Sequence, residues 1–436
     1  MKTPIISWQT LSKAEQATAL SRPAIANNAE LSQQVSAIIE QVKSNGDQAL
    51  LNLTEKFDGI KLSSLKVSNE QVEQAVARLS EKRLKAIHTA HQNIIKFHSA
   101  QKFNDIKVET TPGVVCTLKS EAIESVGLYI PAGSAPLPST VLMLGAPATL
   151  AGCQRAVLVC PPDKNGQLAD EVLAAAKVCG ITEIYTIGGA QAVAALALGT
   201  ETIAPVNKVF GPGNRYVTEA KKQLSQLVPG FTIDMPAGPS EVLVLADSKA
   251  NPAFIAADLL SQAEHGPDSQ VILVTDSQAI IDGTQAELSK QLAELSRQEI
   301  AAQALSHSRL ILTADMAEAI AVSNEYGPEH LIVQTENAAN LIGTLRNAGS
   351  IFVGRYTPES AGDYASGTNH VLPTYGYSKV ISSLSLADFS RRYTVQEISP
   401  QGLQNLSECL IELTDAEGLD AHQRAVTIRL EEINQA

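Results

Sequence analysis

Along the first hundred residues, apolar positions recur at helical spacing on an otherwise polar chain. The spacing predicts a helix over 28–57, closed by Asp58-Gly59, and a second, Lys-rich helix over 71–103. Ahead of them, 5–23 reads as an arm with a short helix from about Leu11. From Ser125 onward, short and nearly continuous apolar runs alternate with helical ones. Strands are predicted at 156–160, 183–187 and 208–210, separated by helices near 170–179 and 190–198. The pattern then restarts, with strands at 241–246, 270–275, 309–313, 330–333 and 350–353. Helices near 252–264, 278–297, 316–326 and 338–348 lie between them. Strands that are apolar on both faces and alternate with helices predict parallel sheets covered on both sides. After Tyr377 the chain turns polar, and 412–434 reads as a closing helical tail. The expected fold class is α/β: two incomplete Rossmann-like parallel-sheet domains, a small N-terminal helical arm and a C-terminal helical tail.

At 436 residues, the chain has room for two to four domains of roughly 150 residues each. Hydrophobic residues at 44% and charged ones at 18% give a globular composition, and aromatics at only 4% leave packing to Ala, Leu, Ile and Val. The 33 basic and 46 acidic side chains leave a net charge of −13, so no clustered cation surface for nucleic acid is expected. The 5 cysteines are odd in number and form no C-x-x-C pair, which reads as reduced cytosolic thiols. Residues 125–154 carry no charge and are long enough to span a bilayer. They also hold Pro131, Pro136, Pro138 and Pro147, so they read as buried strand and loop. With no signal pattern in 1–10, the expectation is a cytoplasmic protein with no membrane partner.

Two glycine turns sit where a strand becomes a helix: Ile187-Gly188-Gly189-Ala190-Gln191 and Phe210-Gly211-Pro212-Gly213-Asn214. Glycine lets a backbone approach a pyrophosphate, and a helix N-terminus offers free N–H donors. Neither turn matches G-x-G-x-x-G, so each alone is equally a tight βα connection; together they lean toward a nucleotide bound in a non-standard way. Among the histidines, His88, His91 and His98 lie on the Lys-rich helix and read as a solvated face. His265 follows Gln262 by three residues and precedes Gly266-Pro267, which puts both side chains on one face at a helix end. His330 follows Glu329 in Gly327-Pro328-Glu329-His330. His370 closes a Gly- and Ser-rich loop from Ser360, and His422 follows Asp415, Glu417 and Asp420. Histidines in turns beside carboxylates are compatible with a mixed N/O metal site and an adjacent base, or with structural roles alone.

These segments occur in a specific order. Val126-Gly127-Leu128-Tyr129-Ile130-Pro131-Ala132-Gly133 comes first, then Gly188-Gly189-Ala190-Gln191, Gly211-Pro212-Gly213-Asn214 and Pro236-Ala237-Gly238-Pro239-Ser240-Glu241. Gln262-Ala263-Glu264-His265, Gly327-Pro328-Glu329-His330 and Ala361-Gly362-Asp363-Tyr364-Ala365-Ser366-Gly367 follow. Over essentially its whole length the chain resembles the histidinol dehydrogenase family, departing where the first loop reads Pro-Ala-Gly and many members have Pro-Gly-Gly. The resemblance implies oxidation of L-histidinol through L-histidinal to L-histidine, with two NAD⁺ consumed and one zinc per subunit. It implies zinc ligands at Gln262, His265, Asp363 and His422, and a catalytic pair, Glu329 and His330. His330 would take the hydroxyl proton, and Glu329 would activate the water that the aldehyde step needs. Adjacent residues point apart on a strand, so this pair is expected on a loop or a strand end.

Ser240, Gln262, His265, His330, Asp363, His370, Glu417 and His422 are the implied substrate contacts, with Glu417 pairing with the ammonium. Tyr129, Gln191 and Asn214 are the implied NAD contacts. The resemblance further implies a homodimer whose tail, 385–436, completes the neighbouring site. It implies an arm at 1–25, a larger α/β domain of 26–128 with 240–384 that holds the metal and catalytic residues, and an NAD-contacting domain at 129–239. Cys116 and Cys153 lie near the nucleotide region in sequence, but no neighbouring His or Lys would activate either thiol, and Cys153, after Ala151-Gly152 in an apolar stretch, is expected to be a core thiol. A zinc hydrolase would use the same metal residues but leave the glycine turns unexplained. A two-lobed binding protein would show no turnover.

Overall fold

The chain opens with β1 (Ile5–Ser7) and α1 (Lys13–Ala19), whose start is a capping box between Ser12 and Glu15. α2 (Ala29–Asp58) follows the expected apolar stripe but breaks at Gly46, which has φ 50°. Glu201 accepts a hydrogen bond from Asp47 N at 2.7 Å there, where a Cβ on residue 46 would collide with that carboxylate. The helix expected over 71–103 is two helices, α3 (Asn69–Arg78) and α4 (Glu81–Ser99). Ser68 and Ser80 cap them separately, while the apolar spacing runs on across the break. The structure, a computed structural model, describes residues 3–22, 29–132, 136–235 and 238–435. Gly133 of the first loop motif, Pro236-Ala237 of the fourth, and the expected arm boundary at 25–26 lie outside the described residues.

β2 (Ile106–Thr111) and β3 (Val114–Ala122) pair antiparallel and lead into β4 (Ser125–Tyr129). α5 (Pro138–Ala151) then occupies about half of the segment expected as strand and loop, because a helix apolar all round shows no periodicity to read. Pro138 sits at its first turn, where a missing N–H is harmless, and Gly152 ends it in the left-handed region. Pro147 leaves the Met143 carbonyl without its helical donor, and Asn369 Nδ2 supplies one at 2.7 Å. The loop carrying His370 is thereby fastened to a buried helix.

β5 (Arg155–Cys160), α6 (Asp170–Val178), β6 (Glu183–Thr186), α7 (Gly189–Leu198), β7 (Lys208–Phe210), α8 (Arg215–Leu227) and β8 (Thr232–Ile233) complete a five-stranded parallel sheet, ordered β6-β5-β4-β7-β8. The second unit runs β9 (Glu241–Ala246), α9 (Pro252–Ala263), β10 (Gln270–Thr275), α10 (Gln278–Leu292), α11 (Gln298–Ser306), β11 (Arg309–Leu312), α12 (Met316–Tyr326), β12 (His330–Gln334), α13 (Ala338–Leu341), β13 (Ser350–Val353) and α14 (Glu359–Tyr364). Its parallel sheet is ordered β1-β11-β10-β9-β12-β13. Counted from the first strand of each unit, both sheets run 3-2-1-4-5, and β1 of the arm adds a sixth strand to the larger one. The arm is thus part of that sheet.

β14 (Ser390–Ile398) pairs with β3, giving an antiparallel sheet ordered β14-β3-β2, and α15 (Pro400–Ala416) and α16 (Asp420–Ile433) close the chain. The sequence pattern did not reveal this sheet. Each parallel sheet has an apolar core on both faces. α2 packs on one face of the smaller sheet with α7 and α8, and α3 and α4 cover the other with α5 and α6. Residues 29–99 therefore shield the smaller sheet, not the larger one with which 26–128 was grouped.

Candidate active site

β9 and β12 are neighbours, with His330 opposite Val242, and their amino ends bring Glu241 beside Glu329 and His330. Gly327, at φ 64°, ends α12 in the left-handed region, and the chain turns through Pro328 into β12. Glu329 precedes the strand and His330 is its first residue, so neither is constrained to the alternation of a strand interior. Both are buried. Glu329 Oε2 accepts from the Glu241 N–H at 2.8 Å. His330 Nδ1 lies 3.0 Å from the Glu241 carbonyl and 2.9 Å from Gln262 Nε2. The ring is thus anchored through Nδ1, which leaves Nε2 as the nitrogen open to proton exchange.

Nε2 itself makes no hydrogen bond. It stands 3.5 Å from Asp363 Oδ1 and 3.9 Å from Glu359 Oε1. Gln262 Oε1 and Glu359 Oε2 are also buried without a partner. Acceptors gathered in a desolvated place without donors call for protons or a cation among them. One ligand atom each from His330, Glu359 and Asp363 lies within 4.8 Å of the others. Burial pushes the Glu329 carboxyl up to about 8 and moves Glu359 upward as well. Burial opposes charge on Asp363 too, but the His330 ring beside it holds this carboxylate below its usual range. Burial likewise opposes charge on His330, yet Glu359, Glu329 and Asp363 outweigh it and raise its pKa.

Gln262 lies in the last turn of α9, and His265, just past the helix end, donates its N–H to the Gln262 carbonyl. The His265 side chain reaches solvent, while partial desolvation holds its pKa down, with Asp363 opposing. His370 Nδ1 contacts the Asp363 carbonyl at 3.0 Å and its Nε2 contacts Thr140 Oγ1 of α5 at 3.4 Å, so this ring orients the main chain at Asp363. Ser240, half-buried, immediately precedes β9.

At the carboxyl ends of the smaller sheet, Tyr129 finishes β4 and its hydroxyl accepts from Gly189 N at 3.1 Å. Gln191 is buried in the first turn of α7. Gly211 has φ 117°, and a Cβ there would sit 2.0 Å from the Tyr129 carbonyl oxygen. Its N–H donates to Asp234, which pairs with the buried Lys221 at 2.8 Å. Asn214 caps α8, accepting from Tyr216 N and Val217 N. Strand order changes direction at β4, so these turns flank a switch point, the usual place for a ligand in such a sheet.

A model of the histidinol dehydrogenase family matches residues 21–430. The chain belongs to that family. It is 74% identical over 432 residues to the histidinol dehydrogenase of Colwellia psychrerythraea, covering 99% of this chain and 100% of that one. It is 58% identical over 431 residues to that of Vibrio cholerae, covering 99% of each. A crystal structure of histidinol dehydrogenase from Elizabethkingia anophelis superposes with a TM-score of 0.94 at 46% identity, covering 100% of this chain and 99% of that one.

Of the residues that the family resemblance named, Gln262, His330 and Asp363 meet in one buried cluster, with Glu329 and His370 joined to it by the contacts above. Glu417 ends α15 and His422 begins α16, both exposed. Among the described residues, no hydrogen bond or ion pair links either to the cluster. Glu359 was missed, although it stands four residues before Asp363 at the start of a short helix and so shares its face. His98 is buried, not on a solvated face, and its Nδ1 contacts the Ile94 carbonyl at 2.8 Å. Burial raises Cys153 to about 11, and Cys116 lies in β3, opposite Val108 and Gln396. No helix among the described residues is long and apolar enough to cross a membrane.

Proposed function

We infer that this oxidoreductase, which oxidises histidinol in histidine biosynthesis, uses zinc and NAD⁺ through the residues just described. Gln262, His265, Asp363 and the partner subunit's His422 are the zinc ligands. The unpartnered Gln262 Oε1, the anionic Asp363 and a His265 held toward its neutral form suit this donor set. Bound there, zinc supplies an electrophilic anchor for the imidazole and amine of L-histidinol. NAD⁺ supplies the hydride acceptor for both oxidations, one molecule each, and is contacted by Tyr129, Gln191 and Asn214.

His330 Nε2 takes the hydroxyl proton as hydride leaves the carbinol carbon, giving histidinal. The second oxidation first adds water to the aldehyde carbon, and His330 returns its proton to the aldehyde oxygen, which restores it as a base. Glu329 takes the proton from that water, and a carboxyl raised to about 8 is suited to proton transfer near neutrality. His330 then takes a second hydroxyl proton as hydride leaves the hydrate. Ser240 hydrogen-bonds the substrate, the partner subunit's Glu417 pairs with its ammonium, and His370 holds Asp363 in place. The exposure of Glu417 and His422 on the tail supports a homodimer with shared sites.

The observation that carries this reading is the pair of buried, unpartnered atoms Gln262 Oε1 and His330 Nε2 at a strand entry, with the Asp363 carboxylate 3.5 Å from Nε2. The test is NADH absorbance with L-histidinol. Two NADH per histidinol, lost on chelation and regained with zinc, are expected. One NADH per histidinol, or full turnover by metal-free protein, contradicts the reading.

A further inference from the structure

Glu241 touches more of the active site through its main chain than any motif suggested. Its N–H binds Glu329 at 2.8 Å, and its carbonyl lies 3.0 Å from His330 Nδ1 and 3.3 Å from Gln262 Nε2. Its own carboxylate is 2% exposed and fully engaged. Oε1 accepts from Arg22 Nε at 2.6 Å and from Tyr375 N at 2.8 Å, and Oε2 accepts from Arg22 Nη2 at 2.9 Å. Arg22 Nη2 also reaches the carbonyls of Tyr326 and Gly327 at 3.0 and 3.1 Å. Its guanidinium lies 4.0 Å from the centroid of the Tyr326 ring. A second link runs alongside: Tyr326 Oη donates to Gln270 Oε1 at 2.8 Å, and Gln270 Nε2 donates to the Ser21 carbonyl at 3.1 Å.

One side chain from the N-terminal arm thus joins the entry of β9 to the turn that enters β12. Those two segments carry the catalytic pair and its main-chain partner. A buried ion pair contributes little net stability compared with apolar residues of the same volume, so stability alone does not explain this one. Only a planar, forked cation can bind the carboxylate side-on and two carbonyls together; a lysine cannot. We propose that Arg22 is a positioning residue for the histidinol reaction, holding Glu241 and the Tyr326–Gly327 turn so that Glu329 and His330 keep their proton-transfer geometry. This rests on the catalytic roles proposed for Glu329 and His330. Arg22 touches neither of these side chains and acts through Glu241 and the turn.

The test measures steady-state kinetics on the full-length enzyme with histidinol and with histidinal. Because Arg22→Gln strands a buried carboxylate, the double variant Arg22→Met/Glu241→Gln, which strands no charge, is made beside it. Folding is checked by thermal melt and zinc by elemental analysis. The double variant should fold and retain zinc yet lose about tenfold or more in kcat on both substrates, with KM values within about threefold of the parent. Arg22→Ala should regain turnover with added guanidinium ion and not with ammonium. An unchanged kcat in the folded double variant, or a raised KM at constant kcat, overturns the proposal. Glu329→Gln and His330→Asn are run in parallel. If those two variants keep full turnover, the catalytic reading fails and the positioning role falls with it. If they lose turnover while the Arg22 variants do not, only the positioning role fails.

Discussion

The two parallel sheets share one strand order yet gather the residues of the proposed function at opposite ends. In the smaller sheet, Tyr129, Gln191 and Asn214 stand at the carboxyl ends of the strands, among glycine turns and helix N-termini. In the larger, Glu241, Glu329 and His330 stand at the amino ends of β9 and β12. The chemistry differs accordingly. Carboxyl ends lead into helix N-termini, whose free N–H groups suit phosphates and need little more than glycine. Amino ends offer no such donors, and the larger sheet fills that edge with buried carboxylates and an imidazole, held by turns and by the Arg22–Glu241 pair. Strand order places a crevice at the carboxyl ends beside the first and fourth strands; the larger sheet instead carries its cluster on the turns that enter β9 and β12.

If proton transfer belongs to the amino-end site, His330→Asn should slow both oxidations by on the order of a hundredfold or more, with NADH formation from histidinol and from histidinal as the readout. Loss confined to one half-reaction would separate His330 from the other. If the partner's tail adds to this edge from outside, two inactive variants, Asp363→Ala and His422→Ala, should complement one another when subunits exchange. Random pairing makes about half the dimers mixed, and about a quarter of all sites become intact. Activity that stays at background, with exchange verified by mass spectrometry of tagged subunits, places the tail in its own chain's site.

At the carboxyl-end site, Gly211→Ala puts a methyl against the Tyr129 carbonyl at a positive φ. It should raise the KM for NAD⁺ about tenfold while leaving zinc content unchanged, as read by initial rates and elemental analysis. A loss of zinc without a change in KM would merge the two ends into one site. The smallest effect concerns Asp258, a buried carboxylate on α9 whose pKa burial raises to about 6. A carboxyl whose native pKa lies above its ordinary 3.8 favours folding less as pH rises through that interval, and above about 6 it is a constant penalty. Asp258→Asn should therefore stabilise the fold at pH 8, on the order of 2 kcal/mol, and about half as much at pH 5, as seen by thermal melts at both values.

Sequence pattern located β7, β9, β10, β13 and α12 at their observed bounds, because buried parallel strands are short, apolar and sharply bounded by turns. It failed where periodicity carries no signal. α5 is apolar on every side, and β2 and β14 are largely exposed with no alternation. The motifs led to Glu329, His330, Gln262 and Asp363, which the fold brings together from three separate segments. Glu359 lies just outside a motif, and only its four-residue spacing to Asp363 pointed to it; Arg22 belongs to no motif and matters only through neighbours distant in sequence, so nothing local could reveal it.

The division of labour at the amino ends rests on Glu329 serving the hydration step and His330 serving both. A single-turnover experiment with Glu329→Gln, excess NAD⁺ and L-histidinol reads it from NADH absorbance. One NADH per site should form at a rate near the parent's, followed by a stall of about a hundredfold or more before the second. Two NADH at the parent rates, or an equally slow first and second NADH, would contradict it.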